Sequence, residues 1–254
     1  MVSGRVRGYK TEAVVLRHRP LGEADRLLVL LSPTMGKVRA VARGVRRSKS
    51  RMAGHLEPLN RVSASLSEGR DLDIVTEAEA VDVYPAIRRD LAKLSAAMFV
   101  AELVDGFSAD HSPGQAMYRL LTNALDAMEG AKSPMQLVRY FQTRLLGMSG
   151  FGPELRQCVS CHEALEPGDH VFASSEGGVV CPSCRSRSED ALIPVSLNVL
   201  KVLRFFQREP MEKALGLRLD TKVLTEAARV LDGYTRFLLE RELKTADCLD
   251  LVGT

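Results

Sequence analysis

Between residues 9 and 81 the chain alternates apolar and polar positions with the period of two that marks a half-buried strand. Leu72, Ile74, Thr76, Ala78 and Ala80 alternate with Asp71, Asp73, Glu77 and Glu79, and Val62, Ala64 and Leu66 alternate with Arg61, Ser63 and Ser65. Three more apolar runs, Glu12–Arg17, Arg26–Leu31 and Lys37–Arg43, read as strands. Pro20-Leu21-Gly22, Ser32-Pro33 and Glu68-Gly69 supply turns between them. Five short strands in so short a stretch predict a small closed barrel.

After Val81 the period becomes helical. Pro85 is expected to open a helix striped by Ile87, Leu91, Leu94, Met98 and Ala101. Ser112-Pro113 is expected to start a second helix, with Met117, Leu120, Leu121, Ala124 and Met128 on its apolar face. Ser133-Pro134 repeats the signal ahead of Leu137, Phe141 and Leu145. Two further helices are predicted at Leu197–Arg208 and Thr221–Leu243. The fold class is therefore α+β and multidomain. Residues 1–81 form a five-stranded β-barrel and 82–254 a helical domain, with a metal ribbon inserted at about 155–190.

Charge changes the picture more than composition does. The chain carries a net +3, but residues 1–70 hold 15 Lys and Arg against 5 Asp and Glu, a net of +10, so the remainder carries −7. A positive field gathered in one module is the footprint of a polyanionic partner. Among five-stranded barrels the OB-fold is the one that binds oligonucleotides, although strand count does not separate it from other small barrels. No apolar run is long enough to span a bilayer. The N-terminus lacks a signal-peptide core, which points to the cytoplasm, where thiols stay reduced.

Cys158-Val-Ser-Cys161 and Cys181-Pro-Ser-Cys184 are two CxxC pairs separated by 19 residues. Each pair aims two thiolates at one point, and together they offer the four-sulfur cage of a structural zinc ion, one per chain. Iron–sulfur runs are spaced differently. Four protein ligands leave no position for a reactive water. The zinc deaminases need H-x-E followed by P-C-x-x-C, whereas here Val180 precedes Cys181. His162 is read as an exposed ribbon residue and Cys248 as a free thiol.

The segment Lys37–Arg51 holds Lys37, Arg39, Arg43, Arg46, Arg47, Lys49 and Arg51 without one acid. Gly44 and the serines suggest a strand ending near Arg43 and then a loop whose arginine forks could grip phosphates. Tyr9 is the one aromatic residue before Val81. Binding should therefore rest on phosphates rather than stacking, with weak sequence preference and strong salt dependence. No GxxxxGK[ST] loop is present and no nucleophilic triad can be assembled, so no enzyme is expected. Asp71 and Asp73 could hold magnesium, but a strand edge in water explains them as well.

Several of these residues resemble, in order, the N-terminal signature of the bacterial RecO recombination mediators. They are Tyr9-x-x-Glu12 into Val14-Val15-Leu16, Gly22-Glu23-x-Asp25, Gly36-Lys37, Ala42-Arg43-Gly44-Val45-Arg46-Arg47, Ser50-Arg51 and Leu56-Glu57-Pro58. The helices and paired CxxC ribbon match the family's further layout, and because some members lack the cysteines the ribbon marks a subgroup. The resemblance implies binding of single- and double-stranded DNA, annealing of complementary strands and help in loading RecA onto coated single strands in the RecFOR pathway. It also implies RecR as a partner, and single-stranded-DNA-binding protein, whose acidic, apolar tail docks on the helical part. RecA would be an indirect partner, and the location cytoplasmic and nucleoid-associated. Arg39, Arg43, Arg46, Arg47 and Arg51 are expected to carry annealing by neutralising phosphates on two strands. Two other classes stay open: a zinc-ribbon RNA-binding or ribosome-associated factor, and a metal-dependent nuclease using Asp71 or Asp73.

Overall fold

The computed structural model describes residues 8–187, 191–246 and 249, so Cys248 lies outside the described residues. The chain packs as two compact units that divide between Gly130 and Ala131.

In the first unit, β1 (Gly8–Leu21), β2 (Asp25–Ser32), β3 (Gly36–Ala42), β4 (Arg61–Ser67) and β5 (Asp73–Asp82) follow the five expected strands. They close into a barrel of order β1-β2-β3-β5-β4. Every pair is antiparallel except β3 with β5. The interior is filled by Ala13, Val15, Leu28, Leu30, Val38, Ala40, Val62, Ala64, Leu66 and Val75. Val14, Leu16, Val29 and Leu31 are equally buried, which explains why β1 and β2 read as continuous apolar runs rather than alternating ones. Their outer face is covered by helix: α1 (Pro85–Arg89), α2 (Leu91–Phe107) and α3 (Gln115–Gly130) complete this unit, with α2 against β1 and α3 against β2.

The alternation in β5 reverses part-way. Ser65 pairs with Glu77 but Leu66 with Val75, which leaves Thr76 as the extra residue of a β-bulge. Asp73 and Val75 therefore point inward, the opposite of the simple alternation, while Glu77 and Glu79 still face water. The single helix expected from Pro85 is also two. Asp90 is extended, and its carboxylate accepts the N–H groups of Ala92 and Lys93, so α2 starts afresh with a new buried face. Leu91, expected on the apolar stripe, is 67% exposed as a result. Ser112-Pro113 does not open α3 directly. That segment lies against Gly36 (φ +65°), where an added Cβ would sit 1.9 Å from the Ser112 carbonyl oxygen. α2 and α3 pack on the outer face of the barrel, and the compact unit runs on to Gly130.

The second unit contains α4 (Pro134–Met148), a sheet of β6 (His170–Ala173), β7 (Gly178–Val180) and β8 (Ile193–Val195) in order β7-β6-β8, then α5 (Leu197–Arg208), α6 (Met211–Leu215) and α7 (Thr221–Leu239). α4 buries Leu137, Phe141 and Leu145 as expected, and also the fully buried Arg139, whose Nη1 pairs with Asp232 on α7 at 2.6 Å. Asp232 accepts from Gln142 as well, so polar bonds and apolar packing together fix α4 on α7. α7 stops short of Leu243 because Glu240 adopts a left-handed conformation. No helix of the described residues is long and apolar enough to cross a membrane.

Candidate nucleic-acid interface and metal centre

The ribbon brings Cys158, Cys161, Cys181 and Cys184 together, with all four sulfurs within 4.8 Å of one another. Cys161 and Cys181 stand 3.9 Å apart, close to the roughly 3.8 Å edge of a tetrahedron with 2.3 Å metal–sulfur bonds. The first pair sits in a turn closed by His162 N–H to the Cys158 carbonyl and Cys158 N–H to the Glu163 carbonyl. The second leaves the end of β7, where the Cys181 N–H donates to the Cys158 sulfur. Burial opposes ionisation of Cys158, but N–H groups of Cys181, Cys161 and Ser160 directed at its sulfur prevail and lower its pKa to about 6. Burial first, and then the crowding sulfurs, hold the Cys184 thiol up to about 12. Four thiolates cannot share so small a space without a cation between them, so the donor set fits a metal ion. His162 is exposed and is not part of the cluster.

The segment after β3 is a series of turns from Arg43 to Leu59, anchored at several points. Asp25, at the β1–β2 turn, accepts the Gly44 N–H at 2.7 Å, and the Arg46 N–H donates to the Ala24 carbonyl. Val45 and Leu56 are fully buried, and Glu57 accepts from Arg26 at 2.9 Å and lies 3.3 Å from His18. Burial disfavours the Glu57 carboxylate, but those two partners outweigh it and lower its pKa. Between these anchors Arg43, Arg46, Arg47, Lys49 and Arg51 are exposed, and none forms an ion pair with a described residue. Among the described residues Arg46 alone of these makes a side-chain bond, to the Gly22 carbonyl at 3.0 Å.

The two remaining cations of the expected set differ. Arg39 is 52% exposed but pairs with Asp110 at 3.2 Å. Lys37 is buried; its ammonium donates to the Asp105 carbonyl at 2.8 Å and lies within 3.7 Å of the Asp105 and Asp110 carboxylates. It holds β3 to the end of α2 and is not presented to a ligand. Arg19, which the sequence reading passed over, is exposed at the end of β1 opposite Leu27, beside the same turn. Its signal was available: a cation immediately before the Pro20-Leu21-Gly22 turn.

Tyr9 donates its hydroxyl to Asp73, whose other oxygen accepts the Gly69 N–H. The one aromatic ring of the barrel is thus fixed to the wall, and Asp73 is a buried structural acceptor rather than a metal ligand. Asp71 is exposed, and among the described residues the four cysteines are the only group of three or more metal-ligating side chains in reach of one ion.

The profile described as "Recombination protein O N terminal" matches residues 6–84, and "Recombination protein O C terminal" matches 88–247. The chain is 35% identical to a "DNA repair protein RecO" of Dehalococcoides mccartyi (strain CBDB1) over 95% of each chain. The chain belongs to the RecO family. Similar proteins of that name come from Roseiflexus sp. (35%, covering 97% of this chain and 86% of the relative) and Desulforudis audaxviator (37%, covering 96% and 97%). The RecO signature residues now acquire physical roles. Gly22, Gly36 and Gly44 take positive φ, Asp25 and Glu57 moor the basic turns, and Glu12 accepts from Tyr118 of α3. In this chain Asp25 and Glu57 hold the loop on the barrel, while Gly36 and Glu12 meet the segments that follow it.

Proposed function

We propose that this RecO-family chain binds single- and double-stranded DNA through the turns that follow β3. It anneals complementary strands and assists loading of RecA onto coated single strands, without catalysing a chemical step. One observation carries the reading: Arg43, Arg46, Arg47, Lys49 and Arg51 stand exposed on a moored loop whose stretch from Arg43 to Arg51 contains no acid. Such a loop can neutralise phosphates of two strands and lower the repulsion that keeps them apart. Arg39 joins at its edge, whereas Lys37 leaves the set.

The ion in the cysteine cage is zinc, one per chain, and its role is folding. A ribbon this small has few apolar residues of its own, and structural zinc supplies on the order of 10 kcal/mol to peptides of this kind. Partners are RecR, RecA indirectly, and single-stranded-DNA-binding protein, in the cytoplasm at the nucleoid. In the second unit a cleft of about 340 Å³ is lined by Thr143, Arg144, Gly147, Met148 and Gln207, with Met148 and Phe151 exposed. Met148 beside Arg144 suits an acidic, apolar tail.

The test compares annealing of matched DNA and RNA oligonucleotide pairs, without nucleotide and with magnesium present. Faster annealing of DNA, with the strands left intact, supports the reading. A preference for RNA moves the assignment to an RNA-binding factor, and cleavage to a nuclease.

A further inference from the structure

The tip of the β1–β2 hairpin is unusual for its surroundings. Leu21 is 39% exposed and follows the exposed Pro20. The other exposed large hydrophobics among the described residues, such as Val81, Leu91 and Phe237, lie away from the basic turns in sequence. Leu21 stands among cations. Arg19 lies on its face of β1 by the two-residue period, and the Arg46 guanidinium donates to the carbonyl of Gly22, its next neighbour. Arg43 precedes Gly44, which is bonded to Asp25, the residue opposite Leu21 in the hairpin. Of the two acids in the turn, Asp25 is committed to the Gly44 N–H and Glu23 stays exposed.

The tip is also held in place. Three bonds join it to the basic turns: Gly44 N–H to Asp25 at 2.7 Å, Arg46 N–H to the Ala24 carbonyl at 2.9 Å and the Arg46 side chain to Gly22 at 3.0 Å. Pro20 adds a fixed φ. An apolar side chain on a fixed tip, joined through the hairpin and its bonds to the exposed Arg19, Arg43 and Arg46, is placed as minor-groove proteins place the leucines and prolines they push against base steps. The barrel has little else to offer a base, because Tyr9 is bound to Asp73.

We propose that Pro20 and Leu21 form an apolar wedge that touches the bases of a DNA strand while Arg19, Arg43 and Arg46 hold its phosphates. The inference rests on the DNA-binding reading above and adds a contact independent of salt. The wedge gives a preference for strands whose bases are unstacked, which is the state a strand must reach before it can anneal.

The chain contains no tryptophan, so Leu21→Trp reports on this position alone, and Val81→Trp serves as a control on the outer face of β5. Each variant is titrated with a fluorescein-labelled oligo(dT) strand, reading strand anisotropy together with acrylamide quenching of tryptophan emission. The wedge predicts that the Leu21→Trp emission is quenched and shielded from acrylamide as anisotropy saturates, while the Val81→Trp emission is unchanged. Leu21→Ser should weaken binding about tenfold at every salt concentration, the loss of one partly exposed leucine's burial, with the log–log salt slope unchanged. Saturable binding with unaltered Leu21→Trp emission, or wild-type affinity in Leu21→Ser, overturns the wedge and leaves the basic loop standing. Absence of any anisotropy change in the wild type overturns both.

Discussion

Replacing Arg43, Arg46 and Arg47 together by alanine removes three of the five exposed cations on the turns after β3. None of the three forms an ion pair with a described residue, and only Arg46 makes a side-chain bond among the described residues, so the barrel should remain folded. If each cation neutralises one phosphate of a single strand, the slope of log K against log salt is about −3.5 for the wild type and about −1.4 for the variant. Between about 50 and about 200 mM salt, wild-type affinity then falls about 130-fold and that of the variant about sevenfold. Fluorescence anisotropy of a labelled oligonucleotide over a salt series measures both slopes. A wild-type slope shallower than about −1, or a variant slope equal to the wild type's, would refute phosphate contact by this loop.

Lys37 should behave differently from its neighbours. Lys37→Ala removes the ammonium that donates to the Asp105 carbonyl, while Asp105 keeps Arg17 and Asp110 keeps Arg39, and should cost about 2 kcal/mol in urea unfolding while the DNA salt slope stays unchanged. Gly36→Ala places a methyl group against the Ser112 carbonyl at positive φ, and thermal unfolding should show a loss of at least about 2 kcal/mol. Chelation under denaturing conditions should release one zinc per chain, detected with a colorimetric dye. In the folded protein, chelator or Cys158→Ser should destabilise the second unit and leave the salt slope of DNA binding unaltered. Metal content that does not drop in Cys158→Ser would contradict the cage.

The five strands were readable because β1, β2 and β3 each carry an apolar run and β4 and β5 an apolar–polar alternation. The three bulges were not. Leu16, Thr76 and Val81 look like ordinary members of their strands, and the extra residue exists only relative to a partner on β2 or β4. Asp73 was therefore read as facing water when it accepts from Tyr9, sixty-four residues earlier. The break at Asp90 was readable in principle, since an aspartate two residues ahead of a free N–H is a helix start signal. The cysteine pairs announced their cage through spacing alone, while β8, three residues including a proline, has too little pattern to be seen. The basic turns showed in composition. That Lys37 is set apart from them depends on Asp105 and Asp110, which the chain brings back only after two helices have formed. The division at Gly130 coincides with the Ser133-Pro134 start signal, but that α2 and α3 belong with the barrel depends on their packing on β1 and β2.

The most direct test of the account is the rate at which two complementary oligonucleotides anneal after both have been coated with single-stranded-DNA-binding protein, followed over a salt series without nucleotide. The account predicts rapid, salt-sensitive annealing by the wild type and slow annealing by the Arg43→Ala, Arg46→Ala, Arg47→Ala variant, with both proteins equally folded. Equal rates for the two proteins, or strands that stay apart although the wild type binds them, would contradict it.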